Sequence, residues 1–143
     1  MPDILLSFPI LRDVLTVFDA MTAPAGLDRW WTLDSDGTAT RGARYRFGFG
    51  PSCQWTGEVT HCQAPRAFEW TMRDADSDWA GTRVGFTLKD ISDGTLVEFY
   101  HRDWPMENEH LRGSAYCWAS YLRILRRHLE YGEDVPYAQR DSV

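Results

Sequence analysis

The sequence predicts an α+β fold in which a curved antiparallel sheet clasps one long C-terminal helix. Two observations predict it. From Thr38 to Arg102 the apolar residues recur with a period of two, as half-buried strands require. From Leu111 to Leu129, the positions Leu111, Ala115, Trp118, Leu122, Leu125 and Leu129 repeat at alternating steps of four and three, which draws one straight stripe along a helix.

The elements follow in order. Ile4 to Phe8 is a short, partly β-branched apolar run that stops before Pro9, and it is expected as the opening strand. Leu11 to Thr22 changes period: Val14, Val17, Phe18 and Met21 fall at helical spacing, Asp13 and Asp19 face away, and Pro24 ends the element. A second short helix is predicted from Pro24 to Trp31, where proline in the first turn is pre-organised. In Arg44 to Phe49, the aromatic Tyr45, Phe47 and Phe49 alternate with Arg44, Arg46 and Gly48. Cys53 to His61 places Cys53, Trp55, Gly57, Val59 and His61 on one face, with Gly57 marking a bend or bulge.

Ala67 to Asp74 puts Phe68, Trp70 and Met72 on a common face; Gly81 to Asp90 and Gly94 to Arg102 repeat the pattern with Val84, Phe86 and Leu88, then Val97, Phe99 and His101. Ser92-Asp93-Gly94 between the last two reads as a type I′ hairpin, in which Asp-Gly takes positive φ. The final helix starts at Asn108 as N-cap and stops at Gly132 as the residue past its end. Residues 133 to 143 are polar, carry Pro136 and are expected as a flexible C-terminal tail.

Composition removes several function classes. A formal charge of -6 argues against a nucleic-acid surface, which needs a basic stripe. The dense cationic cluster Arg123, Arg126, Arg127 and His128 reads as the wet face of a helix rather than an anion site. Cys53, Cys62 and Cys117 are an odd count without metal-ligand spacing, so reduced thiols and a cytoplasmic setting are expected. The N-terminus lacks the features of a signal peptide, and no apolar run approaches a membrane span.

Asp34, Asp36 and Asp103 lie in loop-like segments without His or Cys at ligand spacing, so no metal site and no cofactor are expected. There is no GxSxG, no phosphate loop and no HExxH.

Short motifs in a fixed order carry a family resemblance. They are Val17-Phe18-Asp19-Ala20 with Trp30-Trp31 downstream, Arg41-Gly42-Ala43-Arg44-Tyr45-Arg46-Phe47, Gly57-Glu58-Val59, and Pro65-Arg66 with Phe68-Glu69-Trp70. Gly81-Thr82-Arg83-Val84, Gly94-Thr95, His101, Trp104 and Tyr116-Cys117-Trp118 with Leu122 and Leu125 complete the set. Across about residues 4 to 132 the chain resembles the START-like superfamily, also called SRPBCC or the birch-pollen-allergen-like helix-grip fold, and within it the branch named after the activator of the ninety-kilodalton heat-shock ATPase. Two departures stand out: Gly42-Ala43 where the family often has Gly-Gly, and Cys117-Trp118 where it often has Gly-Trp.

The resemblance implies a helix-grip fold over residues 1–132: seven antiparallel strands around the C-terminal helix, two short helices after the first strand, and a cavity between sheet and helix. The superfamily spans lipid carriers, hormone receptors, polyketide cyclases, oxygenase subunits and co-chaperone-like domains, so it does not name a ligand.

By parity, Phe47, Phe49, Trp55, Val59, Trp70, Met72, Phe86 and Phe99 share the inner sheet face, and Trp118 and Leu122 oppose them from the helix. These residues either fill a core or line a pocket for an apolar, lipid-like or aromatic small molecule. His101 is the candidate polar group inside, able to donate one hydrogen bond and accept another; alternatively it is a structural residue bonded to Tyr116 or backbone. Trp104 either caps the cavity or anchors its turn, and His61 is expected at the pocket mouth or exposed. A binding protein is the first functional reading. A polyketide-cyclase or dehydratase-like enzyme using His101 as acid or base is the second. A chaperone-interacting module is the weakest, since one domain leaves no second unit to grip a client. Tyr100, Arg102 and the outer sheet face are the candidate surface for a homodimer.

Overall fold

The computed structural model describes all residues 1–143. Seven antiparallel strands form one sheet in the order β1-β7-β6-β5-β4-β3-β2. They are β1 (Ile4–Ile10), β2 (Asp34–Asp36), β3 (Arg44–Gly48), β4 (Gln54–Gln63), β5 (Ala67–Met72), β6 (Arg83–Ile91) and β7 (Gly94–Arg102). Helices α1 (Val14–Thr22) and α2 (Pro24–Leu27) separate β1 from β2, and α3 (Glu109–Tyr131) follows β7. This is the helix-grip arrangement the sequence predicts.

Several boundaries differ from the sequence reading, each for a local reason. β1 runs through Pro9, which pairs opposite Leu96; β1 is an edge strand, where a missing N–H leaves no ladder bond unmade. Asp13 is not a residue on the outer face of α1 but its N-cap, accepting from Thr16 N at 3.2 Å. Helix α2 ends at Leu27, and Trp30 and Trp31 lie in the turn beyond it, where Trp30 Nε1 donates to Ala20 O at 3.1 Å. β2 escapes periodicity because it is three polar residues long. Its Asp34 and Asp36, expected in a loop, flank the Arg46 guanidinium of β3 at 3.1 and 2.9 Å.

The bulge in β4 lies at Thr60, between Val59 and His61, rather than at Gly57. Past it the alternation reverses: His61 is exposed, and Cys62 turns against the core. Gly57 serves packing instead, since a Cβ there would stand 3.0 Å from the Phe47 ring.

The β6–β7 turn is Ser92–Asp93, with Ile91 paired to Gly94. Neither Asp93 nor Gly94 has positive φ, so the turn is not type I′. Gly94 is required because a Cβ there would collide with the Ile10 carbonyl where the end of β1 passes.

The core is a single cluster of 25 buried apolar residues. Helix α3 contributes Trp118, Leu122 and Leu125 from the predicted stripe, while Leu111, Ala115 and Leu129 are partly buried against the core. Asn108 Oδ1 accepts from Leu111 N at 2.8 Å, and Gly132 ends the helix at φ 71°.

Residues 133–143 do not trail as a flexible tail. A 3-10 turn over Tyr137–Ser142 docks against α3, and the buried Arg140 donates to the carbonyls of Thr32, Asp28 and Val135 at 3.0, 2.7 and 3.1 Å. Buried guanidinium donors need acceptors, and the carbonyls around α2 supply them. Ile124, outside the predicted stripe, is 4% exposed and shares with Val135 and Val143 the seam between α3 and this segment.

The outer sheet face is a hydrogen-bonded network rather than a bare platform. Glu69, 8% exposed, accepts from Thr60 Oγ1 at 2.7 Å, Tyr100 Oη at 2.9 Å and Arg83 Nη1 at 3.3 Å. Tyr100 and Arg102 are thus engaged within the chain, Arg102 also pairing with Asp3 at 3.0 Å. The basic cluster on α3 is largely paired too, Arg126 with Glu130 at 2.9 Å and Arg127 with Glu133 at 2.6 Å. No helix is long and apolar enough to cross a membrane.

Trp118→Ala should remove about 3–5 kcal/mol of stability, the usual cost of deleting a buried indole. Urea unfolding checks this; a midpoint equal to that of the parent would show that the sheet does not grip the helix.

Candidate functional site

The residues predicted to line a cavity do meet on the inner face, but most of them touch one another rather than a void. Phe47, Val59, Trp70, Met72, Phe86, Phe99, His101, Trp118 and Leu122 are all at most 3% exposed. Trp70 stands edge-on to Phe47, Phe68 and Tyr45 at ring distances of 5.3, 4.8 and 5.2 Å, and Trp118 meets Phe99 at 4.8 Å. Edge-to-face rings at such distances are well-packed neighbours. Between the middle of the sheet and α3 the interior is a filled aromatic core.

Open volume remains where the N-terminal half of α3 passes the ends of β3 and β4 and the loop between β5 and β6. A cleft of about 390 Å³ lies there, lined by Trp31, Phe49, Trp55, Trp79, Trp118 and Tyr121, with Cys53, His110, Gly113, Ser114 and Cys117 completing the wall. Of the eleven residues predicted from sequence, Phe49, Trp55 and Trp118 line it; Leu122 instead borders a separate groove between β1 and α3.

The cleft is built from residues that parity alone does not connect. Trp31 reaches it from the turn after α2, its ring 5.0 Å from Trp118 and 5.6 Å from Phe49. Trp79 arrives from a loop otherwise rich in Asp and stacks on Trp118 at 5.6 Å and against Trp55 at 5.0 Å. A lone tryptophan in a polar loop was the available sequence signal. Gly113 leaves space on the helix side, since a Cβ there would meet nothing within 4 Å.

His101 holds this end together. Trp118 Nε1, which can only donate, donates to His101 Nδ1 at 3.1 Å. The ring proton therefore sits on Nε2, which donates to Thr82 Oγ1 at 2.8 Å, and the Thr82 hydroxyl in turn donates a hydrogen bond to the Trp79 carbonyl. The partners are thus Trp118 and Thr82, not the exposed Tyr116. Burial pushes the imidazole down to about 3, with a smaller contribution from His110, and the ring stays neutral. With no exposure and both nitrogens occupied, His101 cannot exchange a proton with a molecule in the cleft, which removes the candidate acid or base of the enzyme reading.

Trp104 is fully buried, 4.9 Å from the His101 ring and 5.3 Å from that of His110, and anchors its turn.

At the mouth, His110 Nδ1 lies 2.9 Å from Asp78 Oδ2, and His110 Nε2 lies 3.7 Å from Asp76 Oδ2. These three residues offer ligand atoms within 4.8 Å of one another, the only such spacing for a divalent cation in the chain. Their mutual hydrogen bonds, with Asn108 Nδ2 donating to Asp78 at 3.3 Å, account for the arrangement as a latch between the β5–β6 loop and the start of α3. The thiols of Cys53, Cys62 and Cys117 are unpaired. The indole N–H groups of Trp70, Trp79 and Trp104 have no acceptor; because Trp70 and Trp104 lie away from the cleft, this deficit does not mark a ligand site.

Against known proteins, the sequence model of one family, described as Activator of Hsp90 ATPase homolog 1-like protein, matches residues 13–130. No curated protein matches the sequence. The solution structure of the Aha1 dimer from Colwellia psychrerythraea is similar with a TM-score of 0.84 at 26% identity, over 93% of this chain and 99% of that one. Protein SSP2350 from Staphylococcus saprophyticus superposes with a TM-score of 0.80 at 17% identity, over 94% and 96% of the two chains. CalU16 from Micromonospora echinospora gives 0.76 at 20% identity, over 96% of this chain and 83% of that one. The last two likenesses speak to the fold alone.

A buried neutral histidine makes stability depend on pH. The folded imidazole titrates at about 3 and the unfolded one near 6.5, so between these values the unfolded chain binds the extra proton and stability falls as the pH falls. Relative to His101→Gln, whose amide can both accept and donate, the parent should lose about 1.4 kcal/mol per pH unit between pH 6 and 4. Urea melts of both proteins across that range measure it; a stability difference independent of pH would mean that His101 is not held neutral.

Proposed function

The chain belongs to the Activator of Hsp90 ATPase homolog 1-like family, and from that premise we propose that it is a small-molecule binding protein whose ligand lies in the aromatic cleft beside α3. One observation carries this reading. The interior is filled, yet a cleft of about 390 Å³ stays open and is walled mainly by aromatic rings. Apolar concavities of a few hundred Å³ with a small number of polar groups are where small ligands bind.

The volume and the ring-lined wall suit a compact, flat, apolar molecule better than a long acyl chain. Trp79 and Trp118 stack nearly parallel, at 26°, and form a side wall whose backing is the His101–Thr82 chain, which binds the Trp118 indole and the Trp79 carbonyl. A preorganised wall loses little entropy when a ligand arrives.

Gly113→Trp would place an indole in the open space of the cleft while replacing the poorest helix former short of proline. The uncharged dye N-phenylnaphthylamine should bind the parent with enhanced fluorescence and bind Gly113→Trp at least about tenfold more weakly, with thermal stability not reduced. Equal dye affinity in a variant that melts like the parent would place the ligand elsewhere.

A further inference from the structure

The cleft has a sign as well as a shape. No lysine or arginine is among the residues that line it. Carboxylates, by contrast, are hydrogen-bonded directly to its wall. His110 is held by Asp78 at 2.9 Å, and Tyr121 Oη donates to Asp141 Oδ1 at 2.9 Å. Asp76, 3.7 Å from the other His110 nitrogen, lines the adjoining depression together with Trp55 and Cys53. Protonated or not, one imidazole offsets at most one of these three charges. The arginine of that depression, Arg73, is paired with Glu58 at 3.2 Å.

Building on the cleft as the ligand site, we infer that its ligand is an apolar cation: a ring system bearing an ammonium group. Aromatic faces attract cations through their quadrupoles, and the attraction grows as the site loses water. The carboxylates at the rim act over less than a Debye length, so ordinary salt does not erase them. A fatty acid or aryl carboxylate would meet the reverse situation. It would give up hydration with no counter-charge in the wall and with anionic side chains close by. An uncharged ring gains only the burial. The chain's charge of -6 adds a long-range pull in the same direction.

Three matched naphthalene compounds test this by calorimetric titration at neutral pH: naphthylmethylamine, naphthylmethanol and naphthoate. The amine should bind about tenfold more tightly than the alcohol, the order of a cation–π contact with a partly desolvated ring, and naphthoate should bind most weakly. The amine-to-alcohol ratio should fall to about threefold or less in Asp76→Asn/Asp78→Asn, and it should also narrow in the parent at high salt. The salt comparison needs no variant, so it decides the matter even if the double variant folds poorly. If the alcohol binds and the amine binds no better, or naphthoate binds as tightly as the amine, the charge inference fails while the cleft stands. Binding of none of the three overturns both.

Discussion

The hydrogen-bond chain from Trp118 through His101 and Thr82 to the Trp79 carbonyl joins three parts of the structure that share no sequence neighbourhood. It ties the gripped helix to β7, and β7 to the loop that delivers Trp79. An indole donor, an imidazole of one fixed tautomer and a hydroxyl satisfy one another completely, so a polar path crosses the apolar interior without an orphaned group. The same burial that keeps His101 neutral makes it unavailable for proton transfer. The chain also backs the wall that Trp79 and Trp118 form, and the cleft owes its shape to that wall.

Much of the fold was legible because it rests on periodicity. The stripe from Leu111 to Leu129 and the alternation in β3 to β7 carry enough apolar contrast to place helix and strands. What stayed hidden depended on position in space. The three polar residues of β2 have no pattern, and they become a strand only because β3 presents Arg46 and a free edge. The bulge at Thr60 reversed the facing of His61 and Cys62, which strict parity cannot foresee. Arg140 is buried only because the carbonyls of Asp28 and Thr32, more than a hundred positions earlier, are waiting for it.

The candidate site was less legible than the fold. Parity gathered the inner-face aromatics correctly but could not say whether they bound a ligand or one another, since that depends on how rings interlock. Phe49, Trp55 and Trp118 sit where the core runs out and so line the cleft. Trp31, Trp79, Tyr121 and Cys117 come from a turn, a loop and the flank of α3, outside the strand pattern. The family match makes no such division. It spans residues 13–130, the framework and the cleft wall alike.

The central claim is that a ligand sits in the cleft and not in the sheet–helix interior. Each of the seven tryptophans gives its own indole signal in a nitrogen–proton correlation spectrum, which makes location directly readable. On titration with N-phenylnaphthylamine, the largest shifts should fall on Trp55 and Trp79, and Trp70, enclosed by Phe47, Phe68 and Tyr45, should move least. Largest shifts at Trp70 and Trp30, or none at any indole, would contradict the account.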